Sequence, residues 1–248
     1  MALATATTSQ SNILFLDIET VPQFSGWDAL EPEARQHWSA KVRALRTEDS
    51  PEEHYARAGI YAEFGKVIVV SVGMLHQQEG EEQLRIKSLS GDDEAVLLHD
   101  FAQLCNSTFQ AGPDEGRPRF RFLCAHNGKE FDFPYLARRM VIQGLPLPAL
   151  LDQQGKKPWE TPFIDTMHQW RFGDYKHFTS LSLLAYCLGL PSPKEDIDGS
   201  QVYPVYYHEE GGLERIARYA QRDVYTLVQV YRRLNGMPLL NEHQIEYR

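Results

Sequence analysis

The chain has 248 residues, of which 42% are hydrophobic and 24% charged, an ordinary composition for a folded globular protein with a sizeable core. Its longest mostly apolar stretch, residues 67–75, is far shorter than the ~20 residues of a transmembrane helix, which excludes such a helix. The formal net charge of −9 argues against nonspecific polyanion binding over the whole surface, but it allows a locally basic substrate channel.

The first eleven residues are small and polar, and they predict a short disordered leader. They lack the basic start and the apolar middle of a signal peptide. The three cysteines, Cys105, Cys124 and Cys187, are an odd number without metal-site spacing. Because each has apolar neighbours, we expect buried free thiols in a reducing cytoplasm, so the predicted location is cytoplasmic.

The first predicted strand covers residues 13–19 and ends before Pro22. A helical insertion follows at about residues 27–58, where apolar residues recur near helical spacing. Within it, Ser50 and Glu53 have the spacing of a capping box.

The rest of the chain alternates between predicted strands and helices. Strands are expected at residues 66–75, 82–89 and 119–125, and helices at 92–106, 131–143, 180–188 and 211–234. Strands cluster early and helices interleave late, which favours one α/β domain with a mixed sheet over residues 12–248.

Two carboxylates stand two residues apart in the first predicted strand. Side chains alternate faces along a strand, so Asp17 and Glu19 should project from the same face. Ionised groups are rare in an apolar run unless they are paired or bind a metal. A divalent cation between them is the simplest explanation, although the pair alone is also compatible with a frayed strand end.

Further acidic residues follow predicted elements later in the chain. Asp132 lies in the first turn of a predicted helix, where it also suits the helix dipole. Tyr219 and Asp223 are spaced i, i+4 and share one face of the last helix, either as a surface pair or at the rim of a cleft. If the first strand is central, all these segments converge, and their oxygen ligands suit two hard divalent cations, Mg²⁺ or Mn²⁺.

These segments resemble the three motifs of a known enzyme superfamily. Phe-Leu-Asp-Ile-Glu-Thr (residues 15–20), His-Asn-Gly-x-x-Phe-Asp (126–132) and Tyr-x-x-x-Asp (219–223) are similar to the motifs of the DEDD 3′–5′ exonucleases, which are DnaQ-like. The tyrosine resembles the DEDDy branch, which includes the proofreading exonuclease domains of family-B DNA polymerases. Residues 59–66 and the preceding insertion resemble a bacterial stand-alone subgroup. The resemblance spans residues 12–235.

The resemblance implies a ribonuclease H-like fold with a mixed central sheet flanked by helices. It also implies that Asp17, Glu19, Asp132 and Asp223 bind two divalent cations, that Asp17 bridges them, and that Tyr219 orients the attacking water. No polymerase domain follows, so a link to a polymerase or repair protein is expected only through a partner.

Contacts to the substrate are expected from residues near these acids: Thr20, Asn127, Phe131, Asp165 and Arg222. Each has a structural alternative. Thr20 and Asn127 suit turn capping, Phe131 suits core packing, and Asp165 suits either support of the site or a helix N-cap. Arg222 follows Arg215 and Arg218 at i, i+3, i+7 spacing, as either a basic edge for a phosphate backbone or a solvated helix face.

The resulting expectation is a metal-dependent 3′–5′ exonuclease that hydrolyses single-stranded nucleic acid, with DNA favoured, and releases nucleoside 5′-monophosphates. The alternatives are an exoribonuclease that trims RNA 3′ ends, a hydrolase of dinucleotides or other small phosphodiesters, and a catalytically silent nucleic-acid-binding module. The expected partners are single-stranded DNA or RNA 3′ ends, and no membrane is expected.

Overall fold

The computed structural model describes residues 10–108, 110, 115–190 and 197–248. Its strands are β1 (Ile13–Pro22), β2 (Gly65–Gln78), β3 (Glu81–Ser90), β4 (Phe122–Ala125), β5 (Phe163–Asp165) and β6 (Ile245–Tyr247). Its helices are α1 (Pro32–Leu45), α2 (Pro51–His54), α3 (Glu94–Cys105), α4 (Asp132–Ile142), α5 (Thr166–Arg171), α6 (Leu181–Cys187), α7 (Val202–His208) and α8 (Gly212–Leu234). No helix in the described ranges is long and apolar enough to cross a membrane.

The strands form one mixed sheet in the order β5-β4-β1-β2-β3-β6. Strand β1 pairs antiparallel with β2, and β2 pairs antiparallel with β3. The remaining neighbours, β1–β4, β4–β5 and β3–β6, are parallel. The predicted α/β class with a mixed sheet is therefore confirmed, and β1 lies inside the sheet between β2 and β4.

The two faces of β1 belong to different cores. Leu14, Leu16 and Ile18 pack on one face with residues of α3 and α4. Ile13 and Phe15 pack on the other face with residues of α8. Because side chains alternate along a strand, Asp17 and Glu19 face α8.

The predicted helical insertion lies between β1 and β2. It consists of α1, α2 and 3₁₀ turns at Trp27–Ala29 and Tyr55–Ile60. Trp38 is fully buried in its own small core, and Ser50 and Glu53 form the predicted capping box. The insertion is held together by its own aromatic core, which explains why its apolar periodicity was visible in the sequence.

Two expectations need correction. Residues 1–9 of the predicted leader lie outside the described residues, but Gln10 and Ser11 form a 3₁₀ turn with Asn12, and the Gln10 side chain accepts a hydrogen bond from Arg232. Cys105 and Cys124 are buried free thiols as predicted, whereas Cys187 is exposed. Helix α6 buries Leu184 and Ala185, and Cys187 lies outside that buried face.

A buried ion pair fixes α4, the helix that begins at Asp132, to β2 and the insertion. The Glu94 carboxylate on α3 accepts hydrogen bonds from Arg139 Nε, at 2.8 Å, and from the Val67 backbone N–H, at 2.7 Å. Arg139 Nη1 also donates to the Ala62 carbonyl at 2.9 Å. Both charged side chains are almost completely buried, so removal of one leaves the other desolvated and unpaired.

Arg139→Met should therefore lower the free energy of unfolding by about 3–5 kcal/mol, because the Glu94 carboxylate stays buried without its partner. Denaturant unfolding measures this loss. Arg138→Met is the matched control, since Arg138 is exposed on the same helix and should change stability by about 0.5 kcal/mol or less. Equal losses in the two variants would contradict this role of the pair.

Candidate active site

Strand β1 presents the first two carboxylates of the site. Asp17 is opposite Ser71 of β2, and Glu19 is opposite Val69. Glu19 is 8% exposed, and Asp17 is partly exposed, although its Oδ2 atom is buried. The apolar residues around them create the strand, and burial on the α8 side keeps these two acids close together.

Asp223 of α8 completes a compact acidic group. One carboxylate oxygen from each of Asp17, Glu19 and Asp223 lies within 4.8 Å of the others, the one such group of potential metal ligands in the described ranges. Helix α8 packs its apolar side, including Val224 and Leu227, on the face of the sheet that carries Asp17 and Glu19. The structure thus brings together residues that are more than 200 positions apart in the chain.

The carboxylates of this group perturb one another. Burial raises the pKa of Asp17 well above its ordinary value, and the charges of Glu19, Asp223 and Asp132 raise it further. Burial likewise raises the pKa of Glu19, with added contributions from Asp223 and Asp132. The ionised forms are therefore unfavourable unless positive charge is supplied at this point.

Asp132 stands beside the group of three at the start of α4. Burial raises its pKa to about 7, while hydrogen bonds from its own backbone N–H and from that of Ile18 oppose this shift. Its charge acts on both Asp17 and Glu19, so it belongs to the same electrostatic unit. It is not among the residues whose oxygens all lie within 4.8 Å of one another.

The residues present fit a hard divalent cation. The ligand atoms are carboxylate oxygens, which Mg²⁺ and Mn²⁺ prefer. Asp17 Oδ2 is buried and has no hydrogen-bond partner in the described part of the chain, which is costly for a charged oxygen. A cation bound to this oxygen would satisfy it and would also relieve the repulsion among the acids.

Tyr219 lies one helical turn before Asp223 on α8. It is 8% exposed and packs with Val21 of β1 and Ile68 of β2, so its ring is held against the end of β1 that follows Glu19. Tyr219 and Asp223 were predicted to share one face of the helix, and their placement agrees with that prediction.

Thr20 and Phe131 lie on the other side of the sheet from this acidic group. The Thr20 hydroxyl hydrogen bonds to the hydroxyl of Tyr135, which itself donates to the Gly59 carbonyl at 2.7 Å. The Phe131 ring packs 5.4 Å from the Tyr135 ring and against the α3–α4 core. Alternation along β1 directs Thr20 away from Asp17 and Glu19. Phe131 has the core-packing role of its structural alternative, whereas Thr20 bonds to Tyr135 and does not cap a turn. Contacts from these two residues to substrate stay predictions.

Asp165 is a support for the site and not a surface for substrate. It is 2% exposed, and its Oδ1 accepts the backbone N–H groups of Met167 and His168, which makes it the N-cap of α5. The same carboxylate accepts the N–H groups of Asn127 and Lys129 at 3.1 Å each. The expected substrate contact is therefore corrected, because the carboxylate is buried and engaged by four backbone donors.

Asn127 occupies the turn that Asp165 holds. Its backbone is left-handed, with φ 62°, a conformation that asparagine tolerates better than most residues. Its side-chain Oδ1 is buried without a hydrogen-bond partner in the described ranges. The predicted turn is present, and a contact from this amide to substrate stays a prediction.

Arg222 precedes Asp223 on α8 and is partly exposed. Its charge lies near the Tyr247 hydroxyl of β6, where it opposes the rise in the pKa of Tyr247 that burial causes. Arg222 and Asp223 are adjacent on α8, about 100° apart around the helix axis. A contact from Arg222 to substrate stays a prediction.

His126 is a supporting residue that sequence reasoning did not identify. Its Nε2 donates to the Thr179 carbonyl at 2.7 Å, and its Nδ1 is 2.9 Å from the Thr166 hydroxyl. Burial lowers the pKa of His126, which favours the neutral ring. Its position directly before Asn127 was the one indication in the sequence that it belongs to the site. Its hydrogen-bond partners are 40 and 53 residues away in the chain, so its supporting role could not be predicted locally.

The mixed sheet with flanking helices is a ribonuclease H-like fold. The structure of the family B DNA polymerase from the hyperthermophilic archaeon Pyrobaculum calidifontis matches 87% of this chain, with a TM-score of 0.50 and 18% sequence identity. The match covers 23% of the polymerase chain, so this chain spans about a quarter of the polymerase. The likeness confirms the predicted fold.

The chain belongs to a family of predicted 3′–5′ exonucleases related to the exonuclease domain of PolB, whose model matches residues 60–243. The predicted relation to family-B polymerase exonucleases is thereby confirmed. Two exonuclease I structures also match 92% of this chain, each at 11% sequence identity. The match covers 43% of the exonuclease chain in an ExoI/SSB-Ct complex and 46% in a product-bound structure. Their TM-scores of 0.41 are too low to support an argument. No curated protein matches the chain.

The charge repulsion predicts that the wild type and Asp17→Asn differ in stability in a pH-dependent way when a chelator removes metal ions. The pKa of Asp17 is raised in the folded state above its ordinary value of 3.8, so its contribution to stability is present below about pH 4 and is lost as pH rises. Asn cannot ionise, so Asp17→Asn should melt at nearly the wild-type temperature at pH 4 and above it at pH 8. For a domain of this size each kcal/mol is about 2–4 °C.

Asp100→Asn is the control for this comparison, because Asp100 is exposed on α3 and lies outside the acidic group. Its melting temperature should follow that of the wild type at both pH values. An Asp17→Asn protein that is less stable than the wild type at pH 8 would show that the carboxylate is stabilising even without a cation.

Proposed function

We propose that the protein is a metal-dependent 3′–5′ exonuclease that acts on single-stranded nucleic acid, with DNA favoured, and releases nucleoside 5′-monophosphates by a two-metal-ion mechanism. The observation that carries this proposal is the group of Asp17, Glu19 and Asp223, whose oxygens lie within 4.8 Å of one another. Membership of a family of predicted 3′–5′ exonucleases supports the reaction type.

The proposed cofactors are two Mg²⁺ or Mn²⁺ ions, held by Asp17, Glu19, Asp132 and Asp223. When bound, such cations lower the pKa of water and stabilise the charge that develops on the phosphate oxygens. Asp17 is the proposed bridging ligand, since it comes from the internal strand and interacts with each of the other three acids.

The reaction is a displacement at the terminal phosphorus. The oxygen of a water molecule forms a bond to phosphorus and gives up a proton to solvent. The bond to the 3′-oxygen of the preceding nucleotide breaks, and that oxygen leaves in line with the attack and takes up a proton from solvent. The proposed role of Tyr219 is to orient this water through its hydroxyl, one turn from Asp223. A phenol with an ordinary pKa of ~10 is a poor base at neutral pH, so the role is orientation and not proton abstraction.

The direct test uses single-stranded DNA and RNA of one sequence, labelled at the 5′ end, with Mg²⁺, Mn²⁺ or a chelator. We expect ladders that shorten from the 3′ end, nucleoside 5′-monophosphate products, faster loss of DNA and no turnover with chelator. Faster loss of RNA would favour the 3′-end-trimming exoribonuclease. Turnover of dinucleotides but not tetranucleotides would favour a small-phosphodiester hydrolase. Tight binding without hydrolysis would identify a silent binding module.

Asp17→Asn should lower the rate at saturating substrate by at least about 10³-fold, because a bridging ligand contributes several kcal/mol to the charge stabilisation of the transition state. Substrate affinity should be kept, and stability should be kept or improved. The matched control is again Asp100→Asn, which should hydrolyse at the wild-type rate. Substantial activity in Asp17→Asn would remove its role as the bridging ligand.

Tyr219→Phe should slow hydrolysis by about 10- to 100-fold without unfolding the protein, because only the hydroxyl that positions the water is lost. The measurement is the pH–rate profile of both proteins at saturating metal. An additional basic limb in the wild type that the variant lacks would show that the phenol titrates during catalysis. A variant as fast as the wild type at every pH would make Tyr219 a packing residue.

A further inference from the structure

Exposed aromatic side chains concentrate in one stretch of the chain. Trp159, Phe172, Tyr175, Phe178 and Tyr186 are between 67% and 86% exposed. Three of them lie in the connection between α5 and α6, residues 172–178, which we call the aromatic loop. Large apolar side chains in such a concentration are characteristic of interaction surfaces.

The aromatic loop begins with two residues that have left-handed backbone angles. Phe172 caps the C-terminus of α5 in the left-handed region, with φ 44°, and Gly173 follows with φ 91°. Glycine or asparagine is favoured at such a cap, and a bulky side chain there is strained. The ring is 86% exposed, so packing in the described structure does not compensate for this strain.

The aromatic loop is tied to the loop that leads to Asp132. Thr179, directly after the aromatic loop, accepts the hydrogen bond from His126 at 2.7 Å. On its other side, Arg171 contacts Glu130 at 3.3 Å. The aromatic loop is therefore next to the loop that carries Asn127 and leads to Asp132.

The aromatic loop does not share the negative charge of the chain, because Asp174 and Lys176 cancel. The chain as a whole carries −9, yet residues 175–190 contain Lys176 and no acidic residue. Arg171 lies 6.0 Å from the ring of Tyr175, and Asp174 is the one acid in the aromatic loop. Arg171 itself is largely buried and paired with Glu130, so the exposed cation of the aromatic loop is Lys176. Exposed rings stack the unpaired bases of a single strand, whereas the bases of a duplex are already stacked.

We propose that the aromatic loop is a stacking platform for single-stranded nucleic acid, and that Phe172, Tyr175 and Phe178 hold bases of the strand that leads to the cleaved 3′ end. This inference rests on the proposed function for its direction, because it places the 3′ end at the acidic group. The platform itself requires no hydrolysis, so binding measurements test it separately.

The test compares the wild type with a Phe172→Ala/Tyr175→Ala/Phe178→Ala variant, using fluorescence anisotropy of a labelled 12-nucleotide single strand in chelator. We expect the variant to raise the dissociation constant at least about tenfold. Tyr175→Phe keeps the ring and should bind like the wild type. The control Tyr247→Ala removes an exposed ring from β6, at the opposite edge of the sheet from β5, and should also bind like the wild type.

A second measurement needs no variant. A strand with 2-aminopurine at successive positions should lose fluorescence on binding the wild type at a few adjacent positions, since stacking on a ring quenches this base. With Mg²⁺, the wild-type KM should fall as the strand lengthens from two to eight nucleotides, and the triple variant should lose this length dependence.

The outcomes separate the two proposals. Loss of binding in the triple variant without any hydrolysis by the wild type would keep the platform and remove the exonuclease. Hydrolysis with equal strand affinity in wild type and triple variant would keep the exonuclease and overturn the platform, leaving a protein partner as the occupant of the aromatic loop. Equal binding of duplex and single strand would also overturn it.

Discussion

The repulsion among buried carboxylates is the constraint on which the site depends. One carboxylate oxygen from each of Asp17, Glu19 and Asp223 lies within 4.8 Å of the others. Burial and the charges of neighbouring acids raise the pKa values of Asp17 and Glu19. Such a group is unfavourable for folding, so the surrounding structure must hold it in place. The sheet on one side and the apolar side of α8 on the other provide this restraint.

The restraint continues through polar contacts around the fourth acid. Helix α4 begins at Asp132 and is fixed near its other end by the buried pair of Arg139 with Glu94. The loop before α4 is held by Asp165, which accepts two of its backbone N–H groups, and by His126. Satisfied networks of this kind rigidify a structure, and here they orient a residue that does not itself belong to the group of three.

The fold was largely predictable because its main elements have strong local patterns. The apolar run before Asp17, the β-branched residues of β2 and the apolar face of α8 determine their elements from nearby residues alone. Strand β6 and helix α7 were not predicted. Strand β6 has only three residues and depends on pairing with β3 across more than 150 positions, and α7 depends on packing with Val21 and Ile68. Such elements follow from tertiary contacts, which local patterns do not contain.

The acids of the site were predictable for a different reason from their surroundings. A carboxylate inside an apolar run, as at Asp17, is costly, and the cost is visible in the sequence. The sequence does not show in the same way which atoms the side chains around these acids contact. The partners of Asp165, for example, depend on how the turn at Asn127 closes. These features required the structure.

The lengths of the strands determine where the site is open. Strand β1 pairs with β2 as far as Pro22, but it pairs with β4 only at Ile13–Phe15. Beyond Phe15 the β4 side of β1 has no pairing with β4, and the carboxylate of Asp132 accepts the N–H of Ile18. Helix α8 covers the face that carries Asp17, so under the proposed function a nucleic acid end would approach from the β4 side. The loop after β4 and the segment after β5 form that side, which is where Asn127 and the aromatic loop lie.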